Sequence, residues 1–168
     1  LLRLHNLRKQ VARPITLPIG EAMKPTWLER AESFIGLKEV PGPASSPIII
    51  GWLARIRASW LGGDDVPWCG TALANWMLDA GITPPDNPFR ALAWRTWGTP
   101  LYRPVVGCVG VMERKGGGHV TLIVGEDGRG HLLGLGGNQS DGVRVSAFPR
   151  VGFVAFRWPQ GHEFQYAS

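Results

Sequence analysis

The chain has 168 residues, 44% of them hydrophobic, which suits one compact domain with a single core. Its formal charge of +5 comes from the amino end, because the first twenty residues hold four basic side chains and no acidic one, which leaves +1 for the remainder. A nearly neutral body without interleaved basic and aromatic residues argues against a nucleic-acid binder. No apolar run reaches the roughly 20 residues of a membrane span, and the amino end lacks the apolar stretch of a secretory signal.

Composition divides the chain into three parts. Residues 1–25 form a basic, proline-containing arm, either a flexible tail or a basic amphipathic helix that touches an anionic envelope surface. Residues 26–158 show regular hydrophobic periodicity and form the predicted domain, and residues 159–168 are a short tail. Two cysteines are too few for a disulfide scaffold, so no such framework is predicted.

Two short helices are predicted first. A capping-box pattern that starts at Thr26 predicts a helix that ends at Gly36. A cap residue followed by proline at Ser46 predicts a second helix, which continues to Ile56. Residues 39–43 lie between the two helices and are predicted to form a turn.

The clearest helix begins at Cys69 and ends before Gly81, because its apolar residues follow the i, i+3, i+4, i+7 spacing. Asn87 followed by proline predicts another helix, which ends at Gly98. After residue 104 the periodicity changes to that of strands. The predicted strands are 108–112, 119–124, 131–135, 143–146 and 153–157. Helices followed by an antiparallel sheet predict an α+β fold.

Five of the eight tryptophans fall on or beside the inner faces of the predicted helices and are expected in the core: Trp27, Trp52, Trp76, Trp94 and Trp97. Trp60 and Trp68 lie near the ends of elements, where an indole ring could line a groove. Because Trp68 directly precedes Cys69, it is predicted to contact a substrate.

Cys69 is the candidate nucleophile. It falls in the first turn of its predicted helix, where unpaired N–H groups and the helix dipole favour an anion. This position predicts a lowered thiol pKa and a reactive thiolate. The alternative is a buried structural cysteine at a helix start.

His119 opens a strand after three glycines and is the candidate base for Cys69. Cys108 begins the preceding strand, so an antiparallel hairpin places it opposite about Val124. Five residues of strand separate it from His119 by about 17 Å, which excludes a hydrogen bond between them. Cys108 is therefore predicted to be a core residue.

The turn at residues 127–130 folds the strand of His119 onto the next strand and returns residues 136–138 to its side. Asn138 is predicted as the third catalytic residue, because an asparagine carbonyl can accept the imidazole N–H and orient the ring. Gln139 takes this role if the register slips by one residue, since side chains alternate faces on a strand. Asn138 as a simple turn residue is the alternative.

The remaining histidines, His5, His131 and His162, are predicted to be solvated polar residues. No spacing typical of metal ligands occurs, so neither a metal nor another cofactor is predicted.

Several short motifs, taken in order, resemble the CHAP/NlpC-P60-like cell-wall amidohydrolases found in phage endolysins and prophage regions. They are Lys38-Glu39-Val40-Pro41-Gly42, Ser46-Pro47, Pro67-Trp68-Cys69, Gly118-His119-Val120 and Leu135-Gly136-Gly137-Asn138-Gln139-Ser140-Asp141. The resemblance covers about residues 26–158. It implies a papain-like α+β domain with N-terminal helices packed on an antiparallel sheet, and hydrolysis of an amide bond in peptidoglycan.

Position by position, the resemblance implies Cys69 as nucleophile, His119 as base and Asn138 as the polar third residue. Gln139, like Trp68, is predicted to contact the substrate. Two positions depart from the family pattern. Gly136 stands where CHAP domains often have a carboxylate, and Gly107-Cys108 replaces a common Gly-Asp. No acidic calcium loop is visible, so the resemblance implies no metal dependence.

The expected protein is a monomeric endolysin, made in the cytoplasm without a signal peptide and released by another protein to act in the periplasm or cell wall. It is either a stem-peptide endopeptidase or an N-acetylmuramoyl-L-alanine amidase. A secreted antibacterial amidase effector and a non-catalytic wall-binding module on the same fold are the alternatives.

Overall fold

A computed structural model describes residues 24–163 of the chain. The predicted basic arm, apart from its last two residues, lies outside this range, as does the second half of the predicted tail. None of the helices between residues 24 and 163 has the length and apolar character that a membrane crossing needs.

The described residues form an α+β fold, as the order of predicted elements indicates. The α-helices are α1 (Thr26–Ser33), α2 (Pro47–Arg55) and α3 (Cys69–Asp79), and short 3₁₀ helices span Ser59–Leu61, Ala91–Thr96 and Arg150–Gly152. The strands are β1 (Thr99–Leu101), β2 (Val109–Arg114), β3 (Gly117–Glu126), β4 (His131–Gly136), β5 (Arg144–Pro149) and β6 (Phe153–Trp158).

All six strands form one antiparallel sheet in the order β1-β6-β2-β3-β4-β5. In the β2–β3 hairpin Met112 pairs with His119. Cys108 precedes β2 and accepts the backbone N–H of Ile123 through its carbonyl, one residue from the predicted partner. The sheet therefore carries the histidine on a central strand, with a partner strand on either side.

Helix α3 is the central element of the core. Every residue from Cys69 to Met77 is buried, so the helix is enclosed on all sides over two turns. Asp79 at its end binds Arg30 of α1 at 2.7 Å and Arg55 of α2 at 2.5 Å. These ion pairs join the three helices at the end that lies away from Cys69.

Four of the five tryptophans predicted in the core are buried, namely Trp27, Trp52, Trp76 and Trp94, and Trp97 is partly buried and packs against the core. Trp60 is 69% exposed, and its ring meets that of Phe89 edge to face.

Three local predictions differ from the structure. The capping box is not formed, because Thr26 is already helical and Pro25 occupies the cap position without a side-chain hydrogen bond. The segment after Asn87 forms a 3₁₀ helix instead of an α-helix, since Asn87 has a left-handed backbone and the Pro88 carbonyl bonds the Trp94 indole N–H. Strand β1 was not predicted.

Candidate active site

Cys69 is the first residue of α3, and the neighbouring backbone is packed tightly around it. Gly70 allows this packing, because a side-chain carbon there would overlap the carbonyl oxygen of Pro88. The backbone N–H of Val120 on β3 hydrogen-bonds the thiol. Helix α3 and strand β3 thus meet at the thiol, one residue from His119.

A cleft of about 600 Å³ opens over this junction. Pro67 and Cys69 lie on one side of the cleft, and the segment from Asp86 to Ala93 contributes most of its wall. Gly117 and Gly118 at the β2–β3 turn form the other lip. Cys69 is only 4% exposed, so it is reached from the cleft and not from the open surface.

His119 is buried beside Gln139. The imidazole Nε2 lies 3.0 Å from the side-chain oxygen Oε1 of Gln139. Thr121, two residues along the same face of β3, donates its hydroxyl hydrogen to the same oxygen at 2.9 Å. Gln139 therefore holds both His119 and Thr121 through one atom.

The orientation of the Gln139 amide determines which imidazole nitrogen carries the proton. Its Nε2 donates to the backbone carbonyls of Gly134 at 3.0 Å and Arg144 at 2.7 Å. The oxygen must then face His119, and as an acceptor it requires a hydrogen on the imidazole Nε2. In the neutral ring Nδ1 is therefore the unprotonated nitrogen, free to act as a base.

Asn138 does not take the predicted position on the imidazole. It is half-buried in the turn after β4 with a left-handed backbone φ of 54°, and Ser140 and Asp141 in the same turn have φ values of 50° and 60°. This turn directs the side chain of Gln139 toward His119 and Thr121 of β3. The residue that contacts the imidazole is Gln139, the alternative that follows from a one-residue change of register.

Glycines make room for the Gln139 side chain. A side-chain carbon at Gly136 would overlap Gln139 Oε1, and one at Gly134 would overlap the Thr121 hydroxyl. Gly136 is the position where the resembling family often has a carboxylate. Here the amide oxygen of Gln139 occupies that space, which gives the departure a physical reason.

Burial sets the charge state of the pair. It raises the pKa of the Cys69 thiol above its ordinary value, although backbone N–H groups of Val120 and Gly70 act in the opposite direction. It also lowers the pKa of His119, although the hydrogen bond that the imidazole donates to Gln139 acts in the opposite direction. The lowered thiol pKa predicted from the helix start is therefore wrong, because desolvation exceeds the effect of the helix N–H groups. The resting pair is a thiol and a neutral imidazole.

Trp68 is fully buried, so the prediction that it contacts a substrate is corrected. Its indole N–H donates to Glu39 at 2.7 Å, and its ring lies 2.6 Å from where a side-chain carbon on Gly137 would be. Trp68 therefore separates the start of α3 from the turn that carries Gln139. Gln139 is buried as well and is not a substrate contact, since its amide atoms bind within the protein.

Asp64 orders the loop that leads to Cys69. Its buried carboxylate accepts the backbone N–H of Ser46 at 2.7 Å and of Val40 at 2.9 Å. Burial alone would raise its pKa, yet these two donors lower it below the ordinary value of 3.8. The chain N-terminal to α2 is thereby fixed beside the active-site loop.

Sequence reasoning missed Glu39, Asp64 and Thr121. Thr121 had a signal, because it lies two residues after His119 on a strand and so shares its face. Glu39 and Asp64 are distant in sequence from the residues they bind, and no local pattern connects them.

The other candidates lie apart from the cleft. Cys108 is fully buried with its pKa raised by burial to about 12, as expected of a core residue. His131 pairs with Asp127 at 2.8 Å, and His162 is exposed, while His5 lies outside the described residues. Between residues 24 and 163 there is no group of three histidine, cysteine or acidic side chains placed to hold a metal ion.

A comparison of the chain with protein-family models gives no match, and a comparison with curated protein sequences also gives none.

Proposed function

We propose that this chain is a peptidoglycan hydrolase with a papain-like domain, which cuts an amide bond with Cys69 as nucleophile. The observation that carries the proposal is a thiol at a helix start that lines a cleft and accepts the backbone N–H of Val120, the neighbour in sequence of a histidine whose Nε2 is held by a buried glutamine. The motif order that resembles CHAP/NlpC-P60 amidohydrolases supports peptidoglycan as substrate. It also supports a phage or prophage endolysin, as endopeptidase or N-acetylmuramoyl-L-alanine amidase.

The first step transfers the thiol proton to Nδ1 of His119 while sulfur attacks the amide carbonyl. Because the resting pair is neutral, proton transfer and attack occur together instead of starting from a preformed thiolate. The imidazolium then gives this proton to the leaving amine as the C–N bond breaks. An acyl-enzyme on Cys69 and a free amine result.

The tetrahedral intermediate carries a negative oxygen, which needs hydrogen-bond donors. The backbone N–H of Cys69 lies in the first turn of α3, where N–H groups have no partner within the helix. This N–H is the first donor of the oxyanion hole.

The second half of the reaction uses the same histidine. Nδ1 of His119 removes a proton from water, the hydroxide oxygen attacks the thioester, and the proton returns to sulfur as the acid product leaves. Gln139 keeps the hydrogen on Nε2 through both halves, so that Nδ1 alone exchanges protons.

Digestion of purified peptidoglycan tests the proposal. Cys69→Ala should lower fragment release at least about 1,000-fold, because Cys69 is the only thiol or hydroxyl side chain among the described residues that line the cleft. Cys108→Ala is the matched control and should remain active, since this thiol lies in the core. Mass spectrometry of the fragments and new amino termini separates endopeptidase from amidase. Full activity in a folded Cys69→Ala protein, checked by thermal unfolding, contradicts the proposal.

A non-catalytic wall-binding module is the second candidate, and one observation favours it: burial raises the Cys69 pKa instead of lowering it. Such a module would sediment with peptidoglycan equally well as wild type and as Cys69→Ala, and neither would release fragments. Cleavage by the wild type alone rejects this candidate.

A further inference from the structure

Two charged side chains, Asp86 and Arg90, are the only ones among the residues that line the cleft. Both are exposed. Within the described part of the chain neither forms an ion pair or a side-chain hydrogen bond. The Arg90 guanidinium has one recorded contact, at 5.8 Å from the ring of its neighbour Phe89. The cleft therefore offers one free carboxylate and one free guanidinium.

Another arginine of the same segment, Arg95, forms an ion pair. Arg95 meets Glu113 at 3.5 Å and does not line the cleft. Arg90, five residues earlier, lines the cleft and forms no ion pair within the described part of the chain. Other exposed basic residues of the protein also lack a carboxylate, but they do not line this cleft.

The opposite lip of the cleft has no side chains. Gly118 must remain glycine, because a side-chain carbon there would lie 2.7 Å from the Met112 carbonyl oxygen and 2.8 Å from the Leu92 side chain. At Gly117 the same carbon would meet open space. A ligand can thus approach this lip with its backbone, while Asp86 and Arg90 are the charged side chains that line the cleft.

The two charges lie on one turn of chain. The backbone N–H of Arg90 donates to the Asn87 carbonyl at 3.0 Å, which closes the turn between the two side chains. A guanidinium binds a carboxylate through two parallel hydrogen bonds, and a carboxylate binds an ammonium. One turn with both groups matches a ligand that has an ammonium and a carboxylate close together.

We propose that Asp86 and Arg90 form a subsite for a zwitterionic amino-acid group, with the ammonium on Asp86 and the carboxylate on Arg90. The inference rests on the proposed function and assigns the substrate class: a stem peptide with a free diamino-acid end, where both groups sit on one carbon. The amide that Cys69 attacks is then in the same stem peptide, which favours the endopeptidase reaction.

Three synthetic stem peptides test the subsite: one with the free zwitterionic end, one acetylated at that amine, and one amidated at that carboxyl. Asp86→Asn should raise KM about tenfold for the free peptide and leave the acetylated peptide unchanged. Arg90→Gln should do the same for the free peptide and leave the amidated peptide unchanged. Arg95→Gln is the matched control and should behave as wild type.

Equal KM values for all three peptides, or equal effects of the variants on all three, would overturn the subsite while the hydrolase proposal stands. If the wild type cleaves none of them, binding is measured by calorimetry with folded Cys69→Ala protein. Binding of the free peptide that Asp86→Asn and Arg90→Gln each weaken tenfold supports the subsite even though the reaction fails. Absence of binding overturns it.

Discussion

The two ends of the β3–β4 hairpin each place a histidine beside an oxygen acceptor, yet they differ in charge and burial. At the cleft end buried His119 meets the neutral amide oxygen of Gln139 at 3.0 Å. At the turn end His131, only partly buried, meets the carboxylate of Asp127 at 2.8 Å. Asp127 also accepts backbone N–H groups of Arg129 and His131, which shape the turn.

The difference shows why an amide suits the buried end. A carboxylate there would require desolvation of a charge and would favour the imidazolium, which cannot act as a base. An amide oxygen orients the ring and leaves it neutral. The exposed end has no such constraint, because water solvates the carboxylate. The acceptor therefore differs in type between the buried His119 and the partly buried His131.

The largest expected effect comes from removing the buried acceptor. Gln139→Ala should lower kcat about 100-fold, because the imidazole loses the contact that fixes its tautomer. The readout is kcat and KM on a peptide substrate, with KM little changed. At the other end His131→Ala should keep wild-type kcat. If Gln139→Ala folds and retains kcat, the two ends do not differ in function.

The pH dependence of thiol alkylation tests whether burial raises the pKa of Cys69. Since burial raises the Cys69 pKa above 9.0, its alkylation by iodoacetamide should rise about tenfold per pH unit between pH 7 and pH 9 without a plateau. Mass spectrometry of the modified peptide measures the rate, with Cys108 as an internal reference that stays unmodified in the folded protein. Rapid modification of Cys69 at pH 6 would indicate a thiolate–imidazolium pair instead.

A methyl group at residue 136 should weaken the contact between Gln139 and His119, with a smaller loss of kcat than Gln139→Ala causes. Gly136→Ala places a carbon against Gln139 Oε1, so the amide must move away from His119. We expect kcat to fall roughly tenfold, with a loss of about 1–3 kcal/mol in the free energy of unfolding, measured by urea denaturation. Gly117→Ala is the control: the added carbon meets open space, so the free energy of unfolding should stay unchanged. Gly130→Ala is not a suitable control, because Gly130 has a φ of 84°, which strains any other residue.

The smallest expected effect on kcat comes from a change of Asp127, the acceptor beside His131. Asp127→Asn keeps the side-chain oxygen that shapes the turn and removes only the charge beside His131. Exposed ion pairs contribute little, so kcat should stay within about twofold of wild type. A large loss of activity here would mean that the turn end communicates with the cleft.

The α+β class, the helix that starts at Cys69 and the antiparallel hairpin that leads into His119 could be predicted from the sequence. Each depends on periodicity within one helix or one hairpin, where local geometry dictates position. The segment 91–96 shows a limit of this kind of prediction. Its apolar spacing predicts an α-helix, yet it forms a 3₁₀ helix, in which the Trp94 indole N–H donates to the Pro88 carbonyl.

The choice between Asn138 and Gln139 shows a second limit of prediction from the sequence. The predicted register places residue 138 near His119, at the end of the β3–β4 pair. The rule that side chains alternate faces holds only within a strand, however, and β4 ends at Gly136. Beyond it, three left-handed residues turn Gln139 inward. Likewise, the direction of the thiol pKa shift could not be predicted from a helix start, because it depends on how deeply the folded protein buries the thiol.

The overlap between residue 136 and Gln139 has an evolutionary consequence. A side chain at 136 and a glutamine at 139 compete for one volume, so neither can be exchanged alone without loss of the imidazole contact. A lineage that changes from one arrangement to the other must pass through a poorly active intermediate or substitute both positions together. In an alignment of homologues the two positions should therefore covary, with glycine at 136 wherever glutamine occupies 139.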